Sequence, residues 1–157
     1  MNSFLTLFSG EQIGILGRIA AAMLLGALIG LDREAARKPA GLRTHILVAG
    51  VAALLISVGD AISESYVNHL GSEIVTANPV RIVAATITGI SFLGAGTIIR
   101  DRSEGHVEGL TTAASLLFAS VVGMTAALRH WTVAVGATIL VLVILSLLPW
   151  VESRLDG

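Results

Sequence analysis

The chain has no cysteine, and only 13% of its 157 residues are charged. The first absence excludes disulfides, thiolate metal sites and cysteine nucleophiles. The second weighs against a soluble monomer. An ordinary soluble domain is about 25% charged, and a chain this small has a large surface for its volume. The same figures exclude intrinsic disorder. A basic excess is missing too: ten Lys and Arg face eleven Asp and Glu, a net charge of −1. No nucleic-acid partner is expected from such a balance. No lysine or arginine precedes Arg18, and no small-residue cleavage pattern follows the first apolar run. A secretory signal peptide is therefore not expected, and the first helix is retained.

What the chain does have is apolar length. It is 54% hydrophobic, with a mean hydropathy of +0.85. A spanning helix needs about 20 mostly apolar residues, and five segments approach this: 13–31, 44–62, 82–99, 109–128 and 131–151. None alternates with period two, which favours helices over strands. The expected fold is an all-α integral membrane domain of about five transmembrane helices over 1–157. Arg33, Arg37, Lys38, Arg43, Arg100, Arg102 and Arg154 fall on one side of this arrangement, and Arg18, Arg81 and Arg129 on the other. The basic side is expected to be cytoplasmic, giving an N-out, C-in topology. Trp131 and Trp150 bracket the fifth helix as interfacial anchors, with a core role for Trp150 as the alternative.

Around residues 60–81 the sequence is polar. There Asp60, Glu64, His69 and Glu73 accompany Ile62, Tyr66, Leu70 and Ile74 at four-residue spacing. The pattern reads as a short surface helix, either a solvated loop or, less simply, a cation site. Phe4, Leu5, Leu7 and Phe8 form a further interfacial candidate. Arg18 either snorkels or pairs with Asp60.

Membrane helices associate where small residues allow close backbone approach. Helix one carries Ala22, Gly26 and Gly30; helix three carries Ala85, Gly89, Gly94 and Gly96. Helix four carries Thr111, Ser115, Ala119, Gly123 and Ala127 at strict four-residue spacing. Helices one, three and four are therefore expected to form the packed centre, with helix five facing lipid or a partner. The stripes serve either packing within the monomer or a homodimer seam. Shifting the sequence by 68 residues superimposes Leu25-Gly26-Ala27 on Leu93-Gly94-Ala95, Gly41-Leu42 on Gly109-Leu110, and Thr44 on Thr112. That suggests a parallel hairpin repeat of helices 1–2 and 3–4, of the kind found in transporter folds. Each corner would enter a helix at Gly-Leu, with Thr44, Thr111 and Thr112 as caps. Free N–H groups there, with Arg43 beside them, suit a phosphate, a lipid headgroup or a partner's carboxylate. Routine capping is the other reading.

Enzymatic readings are weak. Gly89-Ile90-Ser91 matches the GxS of intramembrane serine proteases, but no histidine lies in a later membrane interior to serve as base. Gly94-Ala95-Gly96 lacks the remainder of either phosphate-loop pattern. His45 and His106 are isolated in sequence and read as structural. No acidic residue lies centrally in a span, which weighs against a dedicated magnesium conduit.

The same residues carry a resemblance. The blocks are Leu25 to Glu34, Lys38 to His45, Arg81-Ile82 with Gly89 to Ile98, and Val107 to Ala114. Together they resemble the membrane domain of the MgtC/SapB family, whose members typically read LIGLER, AGLRT-H, GIGFLGAG and GLTTAA. The resemblance implies a bacterial inner-membrane, multi-pass protein without enzymatic activity or cofactor. Such proteins are associated with magnesium homeostasis, acid tolerance and survival inside host cells, and are thought to modulate membrane ATPases. A magnesium or small-solute transporter is the alternative. The resemblance marks Asp32, Arg33, Glu34, Gly41, Arg43, Thr44, Arg81, Gly89, Gly94, Gly96, Gly109, Thr111 and Thr112 as the functional motif, while the small-residue stripes assign Gly26, Gly30, Ser115, Ala119 and Gly123 to helix packing. The chain departs from the family at Asn78 (often Asp), Ala85 (often Gln), Ser91 (often Gly) and Leu117 (often Trp). With only Val151 to Gly157 after helix five, it is expected to be the short SapB/YhiD-like form, lacking the soluble C-terminal domain.

Overall fold

The structure, a computed structural model, describes residues 10–70, 79–100 and 107–155. Five helices follow one another: α1 (Gly10–Ala35), α2 (Leu42–Leu70), α3 (Pro79–Ala95), α4 (Leu110–Ala127) and α5 (Trp131–Leu155). Between α3 and α4 a two-residue hairpin pairs β1 (Ile99–Arg100) with β2 (Val107–Glu108) in antiparallel register. Gly10–Ala35, Leu42–Ser63 and Leu110–Ala127 are long and apolar enough to cross a membrane, and α3 and α5 contribute the shorter apolar stretches Val80–Ala95 and Trp131–Leu147. This is an all-α membrane protein.

Two helix ends share one device. After α1, Arg37 N donates to Glu34 O and Lys38 N to Arg33 O; after α4, Arg129 N donates to Ala126 O and His130 N to Thr125 O. Each is a Schellman closure. Its left-handed position holds an arginine rather than glycine, at φ 53 for Arg37 and φ 64 for Arg129. The third helix stops at Ala95, short of the expected 99. The Thr97 amide and hydroxyl both turn back to Gly94 O, at 2.9 and 2.7 Å, and residues 99–100 join the hairpin instead. Residues 62–70 continue α2 rather than forming a separate surface helix. Glu73, Ile74 and the segment Phe4 to Phe8 lie outside the described residues, as do the side chains of Glu64, Tyr66, His69, Leu70 and Trp150.

The packed centre is α1, α2 and α4, not helices one, three and four. On α1, a Cβ at Gly26 would sit 2.6 Å from His45 O, and one at Gly30 would sit 2.7 Å from Leu42 Cα. On α4, a Cβ at Gly123 would run into the Ala49 carbonyl. All three glycines thus receive α2. That helix supplies its own small residues, Ala49, Ala52 and Ala53, each fully buried. The stripes on helices one and four were legible, but α2 is their common partner, and it displaces α3 to the side. There α3 keeps one close approach, Gly94 against Ala113, and lays Ile82 on Gly59 of α2. From α5, Ala134, Thr138, Val141 and Leu145 turn inward, while Ile139, Leu140, Ile144 and Leu147 are exposed.

Arg18 does not pair with Asp60. Its Nη1 donates to Ala127 O at 3.2 Å, at the C-terminus of α4. A cation suits the negative end of a helix dipole.

The Gly123 contact yields a direct test. Gly123→Ala puts a methyl against a carbonyl and is expected to cost about 1–3 kcal/mol by overpacking. Gly136 has nothing within 4 Å of its Cβ position, so Gly136→Ala is expected to be neutral or to stabilise by up to about 1 kcal/mol. Thermal unfolding of both variants in detergent reads the difference.

Candidate functional site: a polar corner joining four helices

At the end of α1, three consecutive charged residues meet three different neighbours. Asp32 is the hub. Its Oδ2 accepts from Arg33 Nε at 2.9 Å and from Nη2 at 2.5 Å. Its Oδ1 accepts from the Ser146 hydroxyl of α5 at 3.0 Å. Arg33 is 4% exposed, and its Nη2 also reaches Leu145 O at 3.4 Å. A buried guanidinium needs both a counter-charge and acceptors for its remaining protons. Asp32 provides the counter-charge and accepts from Nε and Nη2, and the Leu145 carbonyl accepts from Nη2.

Glu34 turns the other way. Its Oε2 accepts from the backbone N–H of Leu42 at 3.0 Å, the first residue of α2. Free N–H groups at a helix start attract an anion, and here the carboxylate comes from the preceding helix. The expected anion-receptive corner at Gly41-Leu42 is therefore filled by the chain's own Glu34. Gly41 makes room for it, since a Cβ at that position would collide with Oε2.

One turn into α2, His45 is completely buried. Nδ1 lies 2.9 Å from Gly41 O, and Nε2 lies 3.0 Å from Ser115 Oγ on α4. A carbonyl only accepts, so Nδ1 carries the proton. The Ser115 hydroxyl also lies 2.8 Å from Thr112 O. With the ring neutral, Nε2 and the Thr112 carbonyl compete for the single hydroxyl proton.

The expected site residues thus separate into groups. Asp32, Arg33, Glu34, Gly41, Thr112 and Ser115 converge on this corner, which joins α1, α2, α4 and α5. Arg43, Thr44 and Thr111 sit close by in sequence but are exposed. Neither threonine caps a helix: Thr44 lies inside α2, and α4 starts at Gly109 with no side-chain cap. Gly109 has φ 89 and packs on the Thr97 carbonyl. With Gly94 and Gly96 it shapes the passage from α3 to α4. Gly26, Gly30, Ala119 and Gly123 are buried in the helix seams. Arg81 and Gly89 belong to an exposed face of α3 away from the corner.

Sequence reading took His45 as structural without finding its partner, and it did not single out Ser146. His45 looked isolated because its partner is 70 positions away. The available signal was its place one turn after the Gly41 corner, facing the small stripe of helix four. Ser146 carried no signal within its aliphatic run.

Residues 19–154 match the MgtC family. The chain is 38% identical to protein MgtC of Salmonella typhimurium over 138 residues, covering 88% of this chain and 54% of that relative. Protein SapB of Bacillus subtilis is 31% identical over 141 residues, covering 90% and 59%. An uncharacterized protein of Haemophilus influenzae is 36% identical over 146 residues, covering 93% and 60%. The chain therefore spans somewhat over half the length of these relatives. No solved structure matches.

The corner makes a specific energetic prediction. Asp32→Asn leaves Arg33 charged and buried, and is expected to cost about 3–5 kcal/mol. Asp32→Asn combined with Arg33→Met removes the stranded charge and is expected to recover most of that loss. Unfolding of the single and double variants in the same detergent measures the recovery.

Proposed function

Because the chain belongs to the MgtC family, we propose that it is a multi-pass protein of the bacterial inner membrane that regulates a membrane partner. The partner class is a membrane ATPase. The process is magnesium homeostasis and adaptation to acid or intracellular stress, and the protein performs no catalysis of its own. The polar corner faces the cytoplasm in this reading, because the basic loop follows the positive-inside tendency.

One observation carries the proposal. The corner's acids and its one buried base, Arg33, are consumed internally, while the bases of the loop that follows are not. Asp32 serves Arg33 and Ser146, and Glu34 serves the start of α2. Arg37, Lys38 and Arg43 remain exposed. Four helices fixed by internal hydrogen bonds thus display a cationic edge. Such an edge suits an acidic cytoplasmic surface, because charge complementarity speeds encounter and selects partners.

The test is crosslinking in native membranes with partner identification. A heterologous membrane protein is expected among the products. Its yield should fall about tenfold or more for Lys38→Glu/Arg43→Glu at equal expression, and should decline with added salt. Products limited to self-crosslinks would overturn the proposal. Saturable magnesium flux into liposomes containing only this protein would replace it with a transporter.

A further inference from the structure

Away from the polar corner, residues of α2 and α3 line an open groove of about 560 Å³. Val51 and Leu55 of α2 and Ala85, Gly89, Ile90 and Leu93 of α3 are among its lining residues. Gly89 has nothing within 4 Å of its Cβ position. The Thr86 hydroxyl, also in the lining, is committed to Ile82 O at 2.8 Å. The lining offers a ligand almost nothing polar except at one end, where Arg81 sits, exposed.

Arg81 makes no hydrogen bond or ion pair among the described residues. Asp60 follows Gly59, on which Ile82 packs, and is also exposed without forming a bridge to Arg81. The groove is thus an apolar trough with a guanidinium at its mouth.

We propose that this groove holds one acyl chain of a bilayer phospholipid whose phosphodiester rests on Arg81. Depth and length favour a lipid over a partner's helix. Arg81 is the third residue of α3, so it lies within one turn of the helix end, at the level of lipid phosphates. From Arg81 to Leu93 is roughly 18 Å along the helix. That length is close to one leaflet, about half of a 30 Å hydrocarbon core, whereas a partner helix would need a seam across both leaflets. Guanidinium recognises a phosphodiester through paired N–H···O bonds, and the apolar chain fills the trough behind it. The lipid site is independent of the regulatory role argued above, and either can fail alone.

The test uses vesicles of phosphatidylethanolamine and phosphatidylglycerol doped with a phosphatidylglycerol carrying a diazirine in its acyl chain. After photolysis, labelled peptides are mapped by mass spectrometry. Labelling of 79–95 and of the Val51–Leu55 stretch is expected to exceed that of the exposed α5 residues Ile139, Leu140 and Ile144 by about tenfold, as for one charge-assisted contact. Gly89→Leu fills the trough and should reduce labelling to the α5 level. Arg81→Gln should reduce it severalfold. Gly136→Leu, which adds the same bulk on α5, and Lys38→Gln, which removes a distant charge, should leave it unchanged. Even labelling across all lipid-facing helices would overturn the proposal. So would insensitivity to both groove variants, or capture of a polypeptide at the groove by a photocrosslinker placed at Leu93.

Discussion

The Asp32–Arg33 pair is the interaction on which one whole end of the bundle depends. Arg33 is almost fully buried, and a lone charge there would be costly to bring out of water. Asp32 neutralises it and spends its second oxygen on Ser146 of α5. Arg33 in turn takes a carbonyl from the same helix. The pair therefore fixes α5 against α1, and among the described residues these are the hydrogen bonds that join α5 to another helix. Apolar packing alone allows a lipid-facing helix to rotate or slide; two directed hydrogen bonds set its register.

Close backbone approach supplies the rest of the order. Lipid offers no hydrophobic drive between helices, so contact area and backbone proximity must hold them together. Gly26, Gly30 and Gly123 each press on the backbone or Cβ of α2. Their spacing brings His45 within reach of Ser115. The polar link between α2 and α4 thus depends on the glycines of α1 and α4, because a wider seam would lengthen the 3.0 Å contact beyond bonding distance. Packing and polar chemistry are two descriptions of one seam.

Much of this was legible in the residues. Apolar run length placed all five helices, but charges did not mark their ends: α1 continues through Asp32, Arg33 and Glu34, and α2 continues past Asp60. The small-residue stripes on helices one and four identified real contact faces. Their partner was misread, because the small residues of helix two, Ala49, Ala53 and Ser57 at four-residue spacing, were passed over among larger aliphatic neighbours. Helix three looked central because it is rich in glycine. Gly89, however, faces open space, and Gly94 and Gly96 serve the end of the helix. The position of a glycine reports that space is needed, and the sequence does not say whether another helix fills it. Arg33 and His45 show the complementary limit. Their partners on other helices lie 112 and 70 positions away, and no local pattern encodes such distances.

The two Gly-Leu corners show how one motif can meet two physical demands. At Gly41 the absent side chain admits the Glu34 carboxylate, which caps α2 from outside. At Gly109 it admits the Thr97 carbonyl and a left-handed backbone, and α4 begins without a side-chain cap. A carboxylate is the flexible end of a side chain and can yield to a methyl group, whereas a backbone carbonyl held by a hairpin cannot. Between the two corners the letters are shared and the chemistry differs. The first corner puts a buried charge network beside its glycine, and the second has a short hairpin in that place. What makes the first corner a functional candidate is therefore the Asp32-Arg33-Glu34 segment that precedes it, rather than the Gly-Leu step the two corners share.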